Sequence, residues 1–535
     1  MPPFITLDGL SFRAPDGRTL FDNLTLSFGA ERTGVVGANG YGKTTLLRLI
    51  LRELSPLSGS VSTRGRVDVL RQSHAPPATA IVADLLEVGA DLDRLARIDR
   101  GEGSNADVDL AVWDLSARIE TALLEVGLTG VDLDRPAASL SGGEATRAAL
   151  ARLLIARPDV ILLDEPTNNL DRAARRTVAA VLEGWRGGAV VVSHDRGLLR
   201  GVDRIIELSD LGARIYGGNW DLYAERRAQE ADAARRDLDE ATREARKADR
   251  EIQAARERQD RREGGGKRAK ARGDIPKIVL NARAGKAEAT RGRLELLGDR
   301  KRSDSAEALE AARANVSRLR KLGFELPPCG LAAAKLVLSL ESVGFGWPGS
   351  PSLFRNINLR LLGPARMAIS GANGSGKTSL LRLITGELEP TAGRITRGAT
   401  PVVLDQRAAL LRDDLSLVEN YRLHNPDAND NQAHAALARF LFRNVAALRR
   451  AGELSGGERL RAGLACLLQA ARPPRFIILD EPTNHLDIAS IEAIEAALAA
   501  YDGALLVVSH DEDFLDAVGV TERLAMGSHA GQGSD

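Results

Sequence analysis

The feature of this sequence that most constrains its fold is an internal repeat. Four segments occur twice in the same order: GANGYGKTTLLRLI at 37–50 and GANGSGKTSLLRLI at 371–384, LSGGE at 140–144 and 454–458, VILLDEPTNNLD at 160–171 and FIILDEPTNHLD at 476–487, and VVVSHD ending at Asp195 and LVVSHD ending at Asp511. Self-similarity of this extent indicates repeated structural units. The sequence therefore predicts two copies of one domain.

The repeat divides the chain into three regions. Its 535 residues exceed one ordinary core, and we expect α/β domains at 1–222 and 333–535. The linker at 223–332 should form an antiparallel helical hairpin, because glycines and a proline interrupt its helical pattern at a tip near 263–282. Its apolar residues recur at steps of three and four, the spacing of a coiled-coil seam: Ala231, Ala234, Leu238, Ala241, Ala245, Ala248, Ile252, Ala255, Leu309, Ala312, Val316 and Leu319.

The two copies differ in length at one place. From Lys43 to Ser141 there are 98 residues, whereas from Lys377 to Ser455 there are 78, a difference of 20. The extra residues of the first copy are polar and lie at about 88–109. We expect them to form a surface insertion.

Charge and cysteine content limit the function classes. Lys plus Arg and Asp plus Glu both total 73, so any affinity for a polyanion must be local. Residues 256–302 supply it, with 16 Lys or Arg against 7 Asp or Glu; a merely solvated helix is the alternative reading of this charge. The two cysteines cannot form cysteine-based zinc or iron–sulfur sites and fit a reducing cytoplasm. Neither a signal peptide nor a membrane-spanning stretch is expected.

Each copy contains a predicted phosphate-binding loop, in which an apolar strand leads through glycines into a leucine-rich helix. Backbone N–H groups would surround phosphate oxygens, Lys43 or Lys377 would reach the β and γ phosphates, and Thr44 or Thr378 would offer a hydroxyl to Mg²⁺. The loop residues predicted to bind ATP are Gly37, Asn39, Gly40, Gly42, Lys43, Thr44 and Thr45, and Gly371, Asn373, Gly374, Gly376, Lys377, Thr378 and Ser379.

Two carboxylates follow an apolar strand in each copy. Asp164 and Asp480 would hold the metal, while Glu165 and Glu481 would orient or deprotonate the attacking water.

The LSGGE segment places a serine and two glycines at the start of a helix, which suits a phosphate presented by the other copy. We therefore expect each ATP to lie between the loop of one copy and this segment of the other. The residues concerned are Ser141, Gly142, Gly143, Ser455, Gly456 and Gly457.

These motifs resemble those of ATP-binding-cassette proteins over nearly the whole chain outside the linker. The resemblance implies three further pairs of site residues: Gln72 and Gln406 at metal and water, the switch histidines His194 and His510 at the γ-phosphate, and Phe12 and Phe345 stacking on adenine. The phenylalanines could instead be core residues of a strand, and the histidines could cap one. Tyr41 stands where the second copy has Ser375, and Asn169 where it has His485, yet we expect hydrolysis at both sites.

A basic helical linker between two cassettes resembles the ABC-F family of translation factors and ribosome-protection proteins. The resemblance implies binding to ribosomal RNA and tRNA, with the linker near the tRNA exit and peptidyl-transferase region, by a cytoplasmic monomer with an intramolecular cassette pair. Its action would modulate translation or protect against ribosome-targeting antibiotics. The cytoplasmic ATPase component of a drug exporter is the main alternative; a DNA-repair cassette protein would show zinc modules, and a recycling factor an iron–sulfur segment.

Overall fold

The structure is a computed structural model that describes residues 3–71, 79–271, 299–313, 315, 325–405 and 408–527. Contacts between Cα atoms divide the chain into two compact units. One unit comprises Met1–Asp221 and Leu322–Asp535 and contains both copies of the repeat, and the other is Leu222–Lys321. The α/β class predicted for the two copies is confirmed.

The first copy contains nine strands and eight helices within the described residues. The strands are β1 (Ile5–Arg13), β2 (Thr19–Phe28), β3 (Arg32–Gly37), β4 (Ser58–Thr63), β5 (Val67–Leu70), β6 (Val160–Asp164), β7 (Gly188–Val192), β8 (Arg204–Ser209) and β9 (Gly212–Gly217). The helices are α1 (Lys43–Ile50), α2 (Val82–Leu85), α3 (Gly89–Asp99), α4 (Asn105–Asp109), α5 (Leu115–Glu125), α6 (Gly142–Ala156), α7 (Arg172–Gly184) and α8 (Arg196–Leu199).

Two sheets organise the first copy. A three-stranded antiparallel sheet has the order β2-β1-β4, and a six-stranded sheet has the order β5-β6-β7-β3-β8-β9. The larger sheet is parallel except for the β8–β9 pair. Its central strands β6 and β7 are continuous apolar runs because both faces of the sheet are covered. The carboxyl ends of β3, β6 and β7 meet at one edge, where the predicted site residues lie.

The second copy repeats this plan. Its strands are β10 (Leu336–Gly346), β11 (Ser352–Leu362), β12 (Arg366–Gly371), β13 (Ala392–Arg397), β14 (Pro401–Leu404), β15 (Phe476–Asp480), β16 (Ala504–Val508) and β17 (Glu522–Met526). They form sheets of order β11-β10-β13 and β14-β15-β16-β12-β17. Its helices are α11 (Lys377–Thr385), α12 (Leu417–His424), α13 (Asp430–Arg439), α14 (Gly456–Leu468), α15 (Ile488–Ala500) and α16 (Glu512–Ala517).

The segment predicted as an insertion, about 88–109, forms the short helices α3 and α4, neither of which contains a buried residue. Asp107 accepts a hydrogen bond from Arg97 Nη2 at 2.6 Å, and Arg94 Nε lies 3.8 Å from the same carboxylate. The hydrogen bond from Arg97 lowers the pKa of Asp107 to about 2. Ion pairs between the two helices therefore order a segment that has little apolar surface to bury.

The second unit is helical where it is described. Helix α9 (Trp220–Ala271) is 52 residues long, and a second helix, α10, spans residues 299–313. Lys301 Nζ donates to Glu251 Oε2 at 2.5 Å, and Arg302 Nε lies 3.2 Å from Asp249 Oδ1. Four alanines of the predicted seam are buried: Ala231, Ala234, Ala248 and Ala312.

Helix α9 continues through Gly264–Gly266, where the sequence predicts the start of the tip. Good helix formers on both sides, RRE and KRAKA, offset the cost of about 1 kcal/mol that each glycine adds. Residues 272–298, which include 272–282 of the predicted tip, lie outside the described residues, as do Val316 and Leu319 of the seam. A search of the described helices finds none with the length and hydropathy of a membrane span.

Candidate active sites

The glycine-rich loop of each copy joins a buried strand to a helix. Gly42 and Gly376, immediately before α1 and α11, have φ values of 86° and 93°. A Cβ on Gly42 would also lie 2.8 Å from the ring of Phe21. Glycine is needed at these two positions because the left-handed backbone and the close neighbour both disfavour a side chain. The helix that follows each loop points its N-terminus at the edge where the strands end.

The loop lysine is held by its own loop in each copy. Lys43 Nζ donates to Gly37 O at 2.8 Å and Ala38 O at 3.2 Å, and Lys377 Nζ makes the same bonds to Gly371 O and Ala372 O at 2.7 and 3.2 Å. Burial lowers the pKa of both lysines, against the raising effect of the nearby carboxylates. Each ammonium group therefore lies against the loop backbone, where it can bind an anion.

An aspartate at the end of the next strand faces the loop. Thr44 Oγ1 donates to Asp164 Oδ1 at 3.4 Å, and Asp480 ends β15 in the same way in the second copy. Burial raises the pKa of both aspartates. A hydroxyl and one carboxylate are hard oxygen donors that fit Mg²⁺, which usually takes its other ligands from water and phosphate. The described residues contain no cluster of three or more His, Cys, Asp or Glu that could hold a metal.

The glutamate after each aspartate adopts a left-handed backbone conformation. The φ values are 48° at Glu165 and 46° at Glu481, and each N–H donates back to the neighbouring strand, to Val192 O at 2.9 Å and Val508 O at 2.8 Å. This conformation is uncommon for a non-glycine residue and costs on the order of 1 kcal/mol or more. The chain turns sharply here, so the glutamate leaves the strand direction at the edge of the sheet.

Each of these glutamates lies beside a histidine. His194 Nε2 is 3.2 Å from Glu165 Oε1, and His510 Nε2 is 3.5 Å from Glu481 Oε1. Burial raises the pKa of Glu165 to about 8 and that of Glu481 to about 7. It lowers the pKa of His194 to about 3 and that of His510 to about 4. The imidazoles are therefore neutral, and each glutamate is a carboxyl group with an increased affinity for a proton.

The two copies contact each other through the loops. Asn39 N donates to Asp487 Oδ2 at 2.9 Å, and Asn373 N donates to Asp171 Oδ2 at 3.3 Å. The side chain of Asn39 donates to His485 O at 3.3 Å, and that of Asn373 to Asn169 O at 3.1 Å. The contacts are reciprocal, so each loop faces the segment that follows the carboxylate pair of the other copy.

Sequence reasoning missed Asp171 and Asp487. Each aspartate also accepts a hydrogen bond at the start of a helix, from Ala174 N at 3.0 Å in α7 and from Ser490 N at 2.8 Å in α15. One carboxylate oxygen caps the helix and the other bonds the opposite loop. The available signal was an aspartate seven residues after the metal-site aspartate in both copies, directly before a helix.

The exchange of His485 for Asn169 has a backbone explanation. Both residues are left-handed, with φ values of 60° and 58°, and both use the carbonyl oxygen to accept from the opposite loop. Asparagine and histidine are among the residues that tolerate this conformation best. Tyr41, the other departure, packs against the core of the first copy, where Ser375 is buried in the second.

The LSGGE serines begin α6 and α14. Ser141 Oγ accepts from Glu144 N at 3.2 Å while Glu144 accepts from Ser141 N at 2.8 Å, and Ser455 forms the same capping box with Glu458. The hydrogen bond from the Ser141 backbone lowers the pKa of Glu144. Gly457 lies against Leu486, whose Cδ2 would be 2.1 Å from an added Cβ. This segment is therefore in contact with the residues that meet the first loop.

The remaining predicted residues are placed less directly. Gln72 and Gln406 lie outside the described residues. Phe12 is half-buried and pairs with Phe21 across two strands, and Phe345 pairs with Phe354 in the same register. Thr45 and Ser379 lie in the first turn of their helices.

An aromatic residue that sequence reasoning missed lies next to Phe345. Phe345 is only 5% exposed within the core, whereas Trp347 is 44% exposed and meets its ring edge-to-face at a centroid distance of 5.2 Å. A base can stack on an exposed ring more readily than on a buried one. The first copy has Ala14 at the position of Trp347, two residues after Phe12. The signal was this difference between the copies.

We expect Trp347→Ala to weaken ATP binding at the site of the second loop by about tenfold, because stacking of a base on an aromatic ring contributes about 1–3 kcal/mol. Phe345→Leu should instead lower the melting temperature, because it removes packing from the core. Nucleotide titration and thermal unfolding of both variants check the assignment. A binding loss confined to Phe345→Leu would contradict it.

Comparison with known proteins adds family relationships to this geometry. Residues 21–168 and 354–484 match the ABC transporter family. The chain is 32% identical over 545 residues to the tylosin resistance ATP-binding protein TlrC of Streptomyces fradiae, covering 95% of this chain and 94% of that protein. It is 29% identical over 542 residues to the energy-dependent translational throttle protein EttA of Mycobacterium tuberculosis, covering 94% and 88%.

A solved structure shares the fold. The archaeal ribosome recycling factor aABCE1, in complex with the ribosomal stalk protein aP1, matches with a TM-score of 0.55 and 17% identity, over 97% of this chain and 87% of that one. This likeness supports the arrangement of two α/β copies described above.

Proposed function

Because this chain belongs to the ABC-F family of ATP-binding-cassette ATPases, we propose that it binds the ribosome with ATP bound and leaves it after hydrolysis. The protein is an ATPase whose two cassettes are the two copies of the repeat. In the proposal, the linker acts near the tRNA exit and peptidyl-transferase region, in the cytoplasm. Its effect is to modulate translation or to protect against ribosome-targeting antibiotics. Among its relatives, EttA is named as a translational throttle and TlrC for tylosin resistance.

The observation that carries the proposal is the reciprocal contact between loop and opposite copy. The amides of Asn39 and Asn373 bond to carboxylates of the other copy, so a nucleotide bound at one loop would lie beside the other copy. Binding of ATP at the loops therefore favours the closed pair, and loss of the γ-phosphate weakens it. The basic stretch 256–302 supplies the charge that ribosomal RNA would neutralise.

Within each site, different residues have different roles. Lys43 and Lys377 bind phosphate oxygens, and Thr44 with Asp164, like Thr378 with Asp480, would hold Mg²⁺. Bound Mg²⁺ would supply positive charge that neutralises the charge developing on the phosphates. Glu165 and Glu481 orient the attacking water and accept its proton, a role suited to carboxyl groups whose pKa lies near 7 or 8. His194 and His510 are neutral donors toward the γ-phosphate.

Fractionation of cells tests the partner. In low salt with a non-hydrolysable ATP analogue, the chain should sediment with ribosomes and not with membrane vesicles, and deletion of 263–282 should release it. The deletion removes residues 263–282 and also shortens the linker. A matched variant therefore replaces 263–282 by a glycine–serine segment of the same length, which keeps the linker length and removes only the native sequence. Recruitment to vesicles without ribosomes would favour the exporter ATPase.

A further inference from the structure

A second cleft lies in the first copy, at the opposite edge of the sheet from the ATP loops. It has a volume of about 620 Å³ and is lined by Pro158, two residues before β6, by Gly187, directly before β7, and by residues of α5. The strand ends that carry Asp164 and Gly37 point the other way. This cleft is therefore separate from the nucleotide sites.

The cleft is positively charged, and its charge is only partly neutralised by carboxylates of the chain. Arg118, Arg157 and Arg186 line it, with Glu125 as the one carboxylate among the lining residues. Arg118 bonds Asp114 Oδ2 at 2.7 Å and lowers the pKa of that carboxyl, to which Arg157 adds a smaller electrostatic effect. The described part of the chain provides no side-chain hydrogen bond for Arg157 or Arg186 and no ion pair within 4 Å. We call the surface formed by the three arginines and Trp185 the arginine cleft.

Trp185 lines the arginine cleft. Its indole Nε1 is buried and has no hydrogen-bond partner among the described residues. Indole N–H groups in buried positions are normally bonded, so an unpaired one indicates a missing acceptor. Arginine guanidinium groups are suited to phosphate, which they can bind through two N–H groups at once. Both features therefore favour an anionic ligand with several oxygen acceptors.

In the second copy, residues of the chain itself close the corresponding position. Tyr501 and Asp502 follow Asp480 by the same intervals at which Trp185 and Arg186 follow Asp164. Tyr501 is buried and its hydroxyl donates to Pro474 O. Asp502 Oδ1 accepts from Cys329 N at 3.0 Å, so the chain itself seals the cleft there.

The first copy differs from the second in both respects. Trp185 and Arg186 replace the tyrosine and the aspartate, so the charge at this place is reversed and the hydroxyl bond that closes it is lost. In the second copy, Asp502 accepts a hydrogen bond from a backbone N–H. The arginine cleft instead offers donors, so its ligand would have to be an anion with several acceptor atoms.

We propose that the arginine cleft binds a phosphate group of RNA. This inference rests on the proposed function, which supplies ribosomal RNA as the source of the phosphate. Contacts from arginine and indole N–H groups to phosphate oxygens position a protein on RNA without reading its sequence. The cleft would thus give the first copy its own contact with the ribosome, independent of the linker.

Salt dependence of ribosome binding tests the proposal. Arg157→Gln with Arg186→Gln, in the chain that also carries Glu165→Gln and Glu481→Gln, should reduce the slope of log affinity against log salt by about one, because one phosphate contact is lost. Affinity at moderate salt should fall about tenfold. Arg157→Lys with Arg186→Lys should keep the slope, since the charge remains. The matched control is Arg64→Gln with Arg176→Gln, two exposed arginines of the same copy.

The outcomes separate the two proposals. If the parent chain binds ribosomes and the cleft variant matches the control variant, the arginine cleft is not an RNA contact and the proposed function stands. If the parent ignores ribosomes, binding of a single-stranded RNA oligonucleotide to the full chain decides: loss in the cleft variant alone supports the cleft, and no difference overturns it. Binding of inorganic pyrophosphate that the cleft variant loses, with an unchanged ribosome slope, would overturn RNA as the ligand.

Discussion

Replacing Glu165 and Glu481 by glutamine in one chain should reduce ATP turnover by about 100-fold or more while ATP still binds. Glutamine has nearly the same shape but cannot accept the proton of the attacking water. The two glutamates are largely buried beside neutral histidines, and their raised pKa values show that this environment favours proton uptake. Steady-state phosphate release and equilibrium nucleotide binding measure the two quantities separately.

The matched control is Glu120→Gln with Glu389→Gln, which makes the same chemical change at two exposed glutamates. It should leave turnover and binding unchanged. Single substitutions then assign the turnover of each site. Because Tyr41 packs against the core, we expect the site of the first loop to remain active. Turnover within about twofold of the parent in the double variant would contradict the role given to the glutamates.

Glu495→Ala should destabilise the folded pair of copies by about 3–5 kcal/mol. Arg196 donates to both carboxylate oxygens of Glu495 at 2.7 and 3.0 Å, and the two side chains are only 10% and 12% exposed. Alanine would leave the guanidinium buried without its anionic partner. Arg196 belongs to the first copy and Glu495 to the second, so the ion pair joins the two copies. Thermal and urea unfolding should therefore show the loss of stability.

An exposed pair between the same copies provides the control. Arg200 bonds Asp513 at 2.8 and 2.6 Å, but its side chain is 41% exposed, so Asp513→Ala should cost less than about 1 kcal/mol. The apolar pair Arg196→Met with Glu495→Leu should recover most of the stability lost in Glu495→Ala, since no charge is then left buried. Equal losses for Glu495→Ala and Asp513→Ala would show that burial of the ion pair is unimportant.

Much of the fold was predictable because the repeat displays each element twice. The strand that ends at Gly37, the helix that begins at Lys43 and the apolar strand before Asp164 follow from local composition and glycine placement. The α/β class is confirmed by the sheets of both copies, and the ATPase activity by the family match. The surface insertion was visible as a difference in spacing, although its two helices and their ion pairs were not.

The rest depends on contacts that local sequence does not encode. The left-handed backbone of Glu165 is set by its bond to a neighbouring strand, and the second bond of Asp487 goes to Asn39, 448 residues away. The exposure of Trp347 beside the buried Phe345 is likewise a property of tertiary packing. The sequence pattern favours Phe345 as the residue that stacks on adenine, because the first copy has Phe12 at the same position.

The central claim is that closure of the two copies on ATP controls binding to the ribosome. The direct measurement is the affinity of the Glu165→Gln and Glu481→Gln variant for purified ribosomes with ATP, with ADP and without nucleotide. The account predicts binding about 100-fold tighter with ATP than with ADP, the size of a coupling free energy near 3 kcal/mol. Equal affinity in all three conditions, or no binding even at low salt, would contradict it.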